Sequence, residues 1–304
     1  MKILLLGRNG QLGWELQRSL APLGTVIALG SRASDNPQGL CGDLRDQSGL
    51  AQTVRQVAPD VIVNAGAYTA VDKAQSEPEA AFAVNAQGPQ TLAEEAARLG
   101  AWLVHFSSDY VYDGSGTQPW REGAAGAPLS VYGQSKLDGD LAVAAYARHL
   151  IVRTSWVYGA RGGNFAKTML RLAKQGTPLR VIDDQIGAPT GADLLADVCA
   201  HMLVRARTQP DLAGLYHCAA AGQTSWHGYA QFVLEKAAAL GQELQVQASA
   251  VQPIGTADYP TAAVRPLNSR LDCQKLCDSF SLHLPFWQQG VLRLLQESLE
   301  NKKV

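Results

Sequence analysis

Tyr132 and Lys136 stand four residues apart in Val131-Tyr132-Gly133-Gln134-Ser135-Lys136, which reads as the start of a helix running to Tyr146. That spacing puts both side chains on one helical face. A free tyrosine titrates near pH ~10, a slow proton donor or acceptor at neutrality. A fixed ammonium group beside it stabilises the phenolate and lowers that value. The pair therefore reads as a general acid with its own tuner. The alternative is a half-buried tyrosine beside a solvated lysine. A second set lies upstream, where the apolar run Ala101 to Phe106 ends in Ser107-Ser108-Asp109. In open α/β sheets, ligands sit at the carboxyl ends of strands, so this cluster falls where chemistry is done. His105, flanked by apolar residues, reads as an ordinary core residue.

A third set opens the chain. Lys2 to Leu6 is a continuous apolar run of the kind that forms a strand buried on both faces. It breaks at Gly7-Arg8-Asn9-Gly10-Gln11-Leu12-Gly13, and an amphipathic stretch, Trp14 to Leu20, follows. Glycines between a strand and a helix allow a tight turn and close approach of backbone to a phosphate at the helix N-terminus. The spacing is G-x-x-G-x-x-G rather than G-x-G-x-x-G, and it points to a nucleotide. The second strand, Thr25 to Leu29, is followed by Gly30-Ser31-Arg32. Dinucleotide folds often carry an acid there for the adenosine ribose. With no carboxylate at that place and an Arg and a hydroxyl nearby, the sequence predicts NADPH over NADH. The alternative for Arg32 is an exposed loop residue. Asp43 either accepts from an adenine amino group or caps a helix that begins near Asp46.

These elements alternate as in a doubly wound sheet. Val61 to Ala67 reads as a third buried strand ending in small residues that leave room for a cofactor. Ser76-Glu77-Pro78-Glu79 reads as a capping box opening a helix to about Leu99, with Asn85 a polar residue in its middle. His149 to Arg153 is a further strand. Beyond Trp156 the pattern loosens into helices (165–174, 192–207, 228–240, 287–299), short strands (179–182, 215–218, 244–248) and a polar tail at 301–303. The expected class is α/β, a doubly wound parallel Rossmann-type sheet with a smaller, discontinuous C-terminal substrate domain. Residues 1–155 form the first unit, with segments around 190–218 returning to it, and 156–304 mainly the second.

Composition narrows the function. The 304 residues carry a net charge of −1, which leaves no electrostatic footprint for nucleic acid or an anionic membrane. The N-terminal apolar run is too short for a signal peptide, and no run reaches the length of a membrane span. Five cysteines without a C-x-x-C fit buried free thiols in a reducing cytoplasm. There is no G-x-S-x-G, and no two of the six histidines stand four apart, so hydrolase and metalloprotease readings find no support.

The glycine turn, a strand-end serine and Tyr132-x-x-x-Lys136 twenty-four residues later together resemble the extended short-chain dehydrogenase/reductase family. Longer stretches resemble its nucleotide-sugar reductases: Asn64 to Lys73 (NAGAYTAVDK), Ser107 to Gly114 (SSDYVYDG), Arg153 to Tyr158 (RTSWVY), Asn164-Phe165-Ala166, Asp184 to Thr190 (DQIGAPT) and Arg265 to Asp272 (RPLNSRLD). The resemblance covers almost the whole chain. It implies NADPH-dependent reduction of the 4-keto group of dTDP-4-dehydro-L-rhamnose to dTDP-L-rhamnose, a precursor of cell-surface polysaccharide such as lipopolysaccharide O antigen. NADH is the second cofactor option.

By that resemblance Ser108, where the family more often has Thr, would bond the substrate carbonyl oxygen. Tyr132 would donate the proton, and Lys136 would bind the nicotinamide ribose. Gly10, Gln11, Leu12, Gly13, Asp43, Leu44, Ala67, Tyr68 and Thr69 match the family's cofactor-contacting positions, and Asn85 matches a helical Asn near the Lys usually tied to a proton relay. Gly7, Gly30, Ser31, Arg32, Ala65 and Gly66 join the cofactor-binding candidates, Gly30 standing where the family commonly has an Asp. Gly66 stands where an Ala is common. Asp109, Trp156, Asn164 and Arg265 would contact the sugar nucleotide. Glu15, Asp193 and Glu297 match positions that hold Mg2+ between the subunits of a homodimer in some members; the alternative is three solvated surface acids. Rival readings are another nucleotide-sugar reductase, epimerase or dehydratase, or a non-catalytic NADP-binding regulatory subunit such as a relative found with methionine adenosyltransferase. The dehydratase commonly needs an Asp-Glu pair where this chain has Asp109-Tyr110.

Overall fold

Apolar residues alternate between two buried faces along a six-stranded parallel sheet. Its strands are β1 (Lys2–Leu6), β2 (Thr25–Leu29), β3 (Val61–Asn64), β4 (Trp102–Ser108), β5 (His149–Thr154) and β6 (Gly214–His217), in the order β2-β1-β3-β4-β5-β6. The structure, a computed structural model, describes residues 1–300, so the predicted polar tail at 301–303 lies outside the described residues. The principal helices are α1 (Gln11–Leu20), α2 (Gln47–Val57), α3 (Gly88–Leu99), α4 (Val131–Ala144), α5 (Phe165–Lys174), α6 (Ala192–Thr208), α7 (Trp226–Ala239), α8 (Gln274–Phe280) and α9 (Trp287–Glu300).

Period-2 alternation explains the two layers. Ile3 and Leu5 of β1 join one core with Leu16 and Leu20 of α1, Leu195 and Met202 of α6 and Phe280 of α8. Leu4 and Leu6 join the other, with Leu50 and Val54 of α2, Leu92 of α3 and Val143 of α4. The chain runs from β1 out to β2 and then crosses to β3 on the far side of β1. The strand order reverses at that point, which opens a crevice at the carboxyl ends of β1 and β3. A third core lies outside the sheet. It packs α5, α7 and α9 over two short strands, Arg180–Ile182 and Gln252–Ile254.

Three local expectations fail for identifiable reasons. No capping box forms at Ser76: its hydroxyl donates back to the Lys73 carbonyl, and Glu77 is the cap residue, its carboxylate held by Tyr68 and Lys73 instead of capping the helix. The predicted helix to Leu99 is interrupted by a π-helical turn at Ala83–Gln87 that contains Asn85. Such turns insert a residue and often mark functional sites. The expected strand 244–248 does not pair; instead the N–H groups of Gln245 and Val246 both donate to the Ala173 carbonyl at the end of α5. That contact seats Leu244 and Val246 in the third core.

Candidate active site

Ser130 caps α4 by accepting from the Gly133 N–H at 3.2 Å. The helix thereby starts where Tyr132 and Lys136 face the end of β4. The Tyr132 side chain lies beside Ser108, whose hydroxyl favours the ionised phenol. Ser108 Oγ donates to Asp109 Oδ1 at 3.0 Å and accepts from the Tyr110 N–H at 3.2 Å. The Tyr110 ring meets Tyr132 edge-on, with centroids 5.4 Å apart. Lys136 is only 2% exposed, which excludes the solvated-lysine alternative.

Burial controls the ionisation of this cluster. It pushes Tyr132 up to about 12, against the opposing effect of the Ser108 hydroxyl, while Asp109 and Asp140 add to the rise. It pushes the Asp109 carboxyl up to about 6 and the Lys136 ammonium down to about 8. The expectation that Lys136 lowers the Tyr132 pKa is therefore corrected. Lys136 Nζ donates to the Phe106 carbonyl at 2.7 Å, and desolvation of the phenolate dominates.

A buried polar network lies beneath. Lys136 Nζ is 3.4 Å from His105 Nε2, which is 3.7 Å from Asp140 Oδ1. Asp140 Oδ2 accepts from Arg153 Nε at 2.9 Å. Arg153 Nη1 donates to the Tyr112 hydroxyl at 2.8 Å, and that hydroxyl meets His217 Nε2 at 2.7 Å. Sequence reasoning missed Asp140 and Arg153 and took His105 for plain core. Asp140 stands four residues past Lys136, a spacing that signals a shared helix face. Asn85 is fully engaged: Oδ1 accepts from the Tyr68 N–H at 2.8 Å, and Nδ2 donates to the Tyr68 carbonyl and to Ser135 Oγ. The π turn thus ties the loop after β3, residues 65–70, to α4.

The glycine turn fits a dinucleotide phosphate. Gly7 has φ +84°, and a Cβ at Gly13 would lie 2.0 Å from the Gly7 carbonyl oxygen, so neither position admits a side chain. No side chain caps α1, and its first N–H groups face the crevice end. Gln11 and Leu12 open that helix. Leu44 and Gly66 meet across the crevice: a Cβ on Gly66 would lie 2.8 Å from Leu44 Cδ1, so this chain fills with Leu44 the space an Ala would use. Ala65 follows β3, its N–H donating to the Leu6 carbonyl. Ala67 and Thr69 lie in the same loop. Asp43 binds Arg45 through both oxygens, and the helix cap is Asp46.

The end of β2 departs from expectation. Ser31 is exposed, and Arg32 lies 3.6 Å from Asp35. A carboxylate does stand beside Gly30, supplied by Asp35 from five residues downstream.

The proposed substrate contacts divide. Trp156 holds a left-handed backbone (φ +50°) and stacks on Trp226, centroids 3.7 Å apart. A non-glycine residue in that conformation is strained, and such strain gathers at binding sites. Trp226 was not found from sequence; its indole N–H donates to Gln185. Arg265 forms a forked pair with Asp72 at 3.0 and 2.7 Å. Asn164 caps α5 and donates to the Gly159 carbonyl and to Gln11.

Glu15, Asp193 and Glu297 do line one cavity of about 560 Å³, with Arg18, Tyr158 and Arg293. Arginines hold them: Arg18 lies 3.3 Å from Glu15, and Arg293 lies 3.5 Å from Asp193 and 2.9 Å from Glu297. No group of three His, Cys, Asp or Glu side chains suited to a metal exists among the described residues. The Mg2+ expected between subunits thus finds no support here, since the three acids are paired with arginines. No helix of the described residues is long and apolar enough to cross a membrane.

The profile of the RmlD substrate binding domain matches residues 1–300. The dTDP-4-dehydrorhamnose reductase of Escherichia coli K12 is 53% identical over 298 residues, 98% of each chain. That of Burkholderia thailandensis is 44% identical, covering 96% of this chain and 97% of its own. The crystal structure of the dTDP-4-dehydrorhamnose reductase from Bacillus anthracis in complex with NADP superposes with a TM-score of 0.84 at 32% identity, over 97% of this chain and 99% of that one.

Proposed function

The chain belongs to the RmlD substrate binding domain family, and from that membership we propose how it reduces the 4-keto group of dTDP-4-dehydro-L-rhamnose to dTDP-L-rhamnose. The observation that carries the reading is Ser108 at the carboxyl end of β4 facing Tyr132 on α4, with Lys136 buried one turn on. NADPH, when bound, supplies the hydride. The residues that would hold it are the Gly7–Gly13 turn, Leu44, the loop 65–69 and Lys136. The rest falls to the chain's own side chains. Ser108 and Tyr132 donate hydrogen bonds where negative charge grows on the substrate oxygen. Tyr132 then gives up its proton. A hydroxyl held near pKa 12 stays protonated at neutral pH, the form a reduction needs from its acid. Lys136 near 8 remains mostly charged at pH 7 and stabilises negative charge in the cleft. Asp109 and Trp156 flank the sugar nucleotide. The five free thiols support a reducing, cytoplasmic setting.

The test is NADPH consumption with dTDP-4-dehydro-L-rhamnose as oxidant. Turnover by the native chain and its loss in Tyr132→Phe support the reading. Cofactor binding without turnover in the native chain would instead leave a regulatory subunit.

A further inference from the structure

We propose that Asp35 serves as the acid in which the second strand of this chain does not end, accepting from the adenosine ribose 2′-hydroxyl so that the crevice takes NADH as well as NADPH. The inference rests on the crevice being a nicotinamide-dinucleotide site and concerns how that site selects its cofactor. Position 30 carries no side chain. A Cβ built there would fall 3.1 Å from Asp35 Oδ2 and 3.2 Å from Asp35 Cβ. The Asp35 carboxylate thus occupies the volume that a strand-end side chain would fill, beside the turn where the adenosine half of a dinucleotide rests.

The loop that delivers it is anchored at three points. The Asn36 side chain clamps Gly30, accepting from its N–H at 2.7 Å and donating to its carbonyl at 3.0 Å. Arg8 Nη1 donates to the Asp35 carbonyl at 2.6 Å. Asn9 Nδ2 donates to Asp35 Oδ2 at 2.8 Å and joins the carboxylate to the glycine turn itself. A carboxylate so placed accepts from a ribose hydroxyl and repels a 2′-phosphate. Arg32 does the reverse, with its Nε 3.6 Å from Asp35 Oδ2 and its side chain 81% exposed. Each residue checks the other, so neither cofactor is excluded.

Equilibrium titration of nicotinamide fluorescence tests this without turnover. The native chain should bind NADH and NADPH with Kd values within about tenfold of each other. Asp35→Asn, close in shape, should weaken NADH by about tenfold and leave NADPH unchanged or tighter. Arg32→Ala should weaken NADPH by a similar factor and spare NADH. An unchanged Kd ratio in Asp35→Asn, or equal loss of both cofactors with the unfolding temperature intact, overturns the role of Asp35 alone. A native chain that binds neither dinucleotide overturns the site reading and the proposal with it.

Discussion

The Asn64 side chain donates to His105 Nδ1 at 3.1 Å, and the direction of that bond is set by a third group. Asn64 Oδ1 accepts from the Gly66 N–H at 3.1 Å, which turns the amide nitrogen toward the ring. Nδ1 is then an acceptor, and neutral His105 carries its proton on Nε2, facing Asp140 and Lys136. Burial holds the ring neutral by depressing its pKa well below 6.5, and the Lys136 charge adds to this. The crevice loop and the catalytic lysine therefore border the same imidazole, the loop through a hydrogen bond to Nδ1 and the lysine on the Nε2 side. His105→Phe keeps the ring volume but leaves the Asn64 amide without its acceptor, at a cost of about 1–3 kcal/mol. Urea unfolding of His105→Phe, Asn64→Ala and the double variant measures it. The pair should be non-additive; additive losses would show no coupling.

Tyr132→Phe retains the ring against Tyr110 and removes the acidic hydroxyl. The expected kcat falls by about 10²–10⁴, the usual share of general acid catalysis, while NADPH binds as before. Single-turnover kinetics with cofactor titration separate the two. Near-normal hydride transfer in this variant would remove Tyr132 as the acid.

Asp109 makes stability depend on pH in a predictable direction. Its folded carboxyl, pushed up to about 6 by burial, holds its proton more tightly than the unfolded group near 3.8. Its contribution is fully present below pH 3.8 and is lost as pH rises through about 6. The shift corresponds to about 3 kcal/mol. Asp109→Asn stays neutral, so its stability relative to the native chain should improve by about that amount between pH 4 and ~6.5. Denaturant midpoints at the two pH values give the difference, and parallel pH profiles would contradict the burial assignment.

Trp226→Ala removes the ring that backs Trp156. The stacked pair contributes about 0.5–1.5 kcal/mol beyond its buried area. The KM for the sugar nucleotide should rise several-fold while the Kd for NADPH is unchanged, because the two indoles lie in the region outside the main sheet. A rise confined to the cofactor Kd would remove Trp156 from the substrate side.

Strands and their chemistry were legible because both are local. The apolar runs at Lys2–Leu6 and Val61–Asn64, the glycine turn and the Tyr132–Lys136 spacing are each written within a few residues. Long-range partners were not. His105 looks apolar by its neighbours, yet it meets Asn64 from 41 residues away. Asp140 finds Arg153 only when β5 lies beside β4. Asp35 reaches the end of β2 through a loop whose folding depends on Asn36 and Arg8. The 244–248 stretch has strand composition but meets a helix end that accepts its N–H groups first. In the Tyr132 case the sign itself changed, because spacing indicates a charge nearby but not how much water has been lost.

The position of β6 has a consequence for synthesis. It closes the sheet against β5 more than sixty residues after that strand, and α6, made in between, covers Leu16 and Leu20. Until residue 217 has left the ribosome, the nascent chain carries an open strand edge and an uncovered apolar face. Leu276 and Phe280 of α8 reach that same face later still. A ribosome-bound chain stalled near residue 160 should therefore recruit chaperone rather than cofactor, although every glycine of the phosphate turn has already been made.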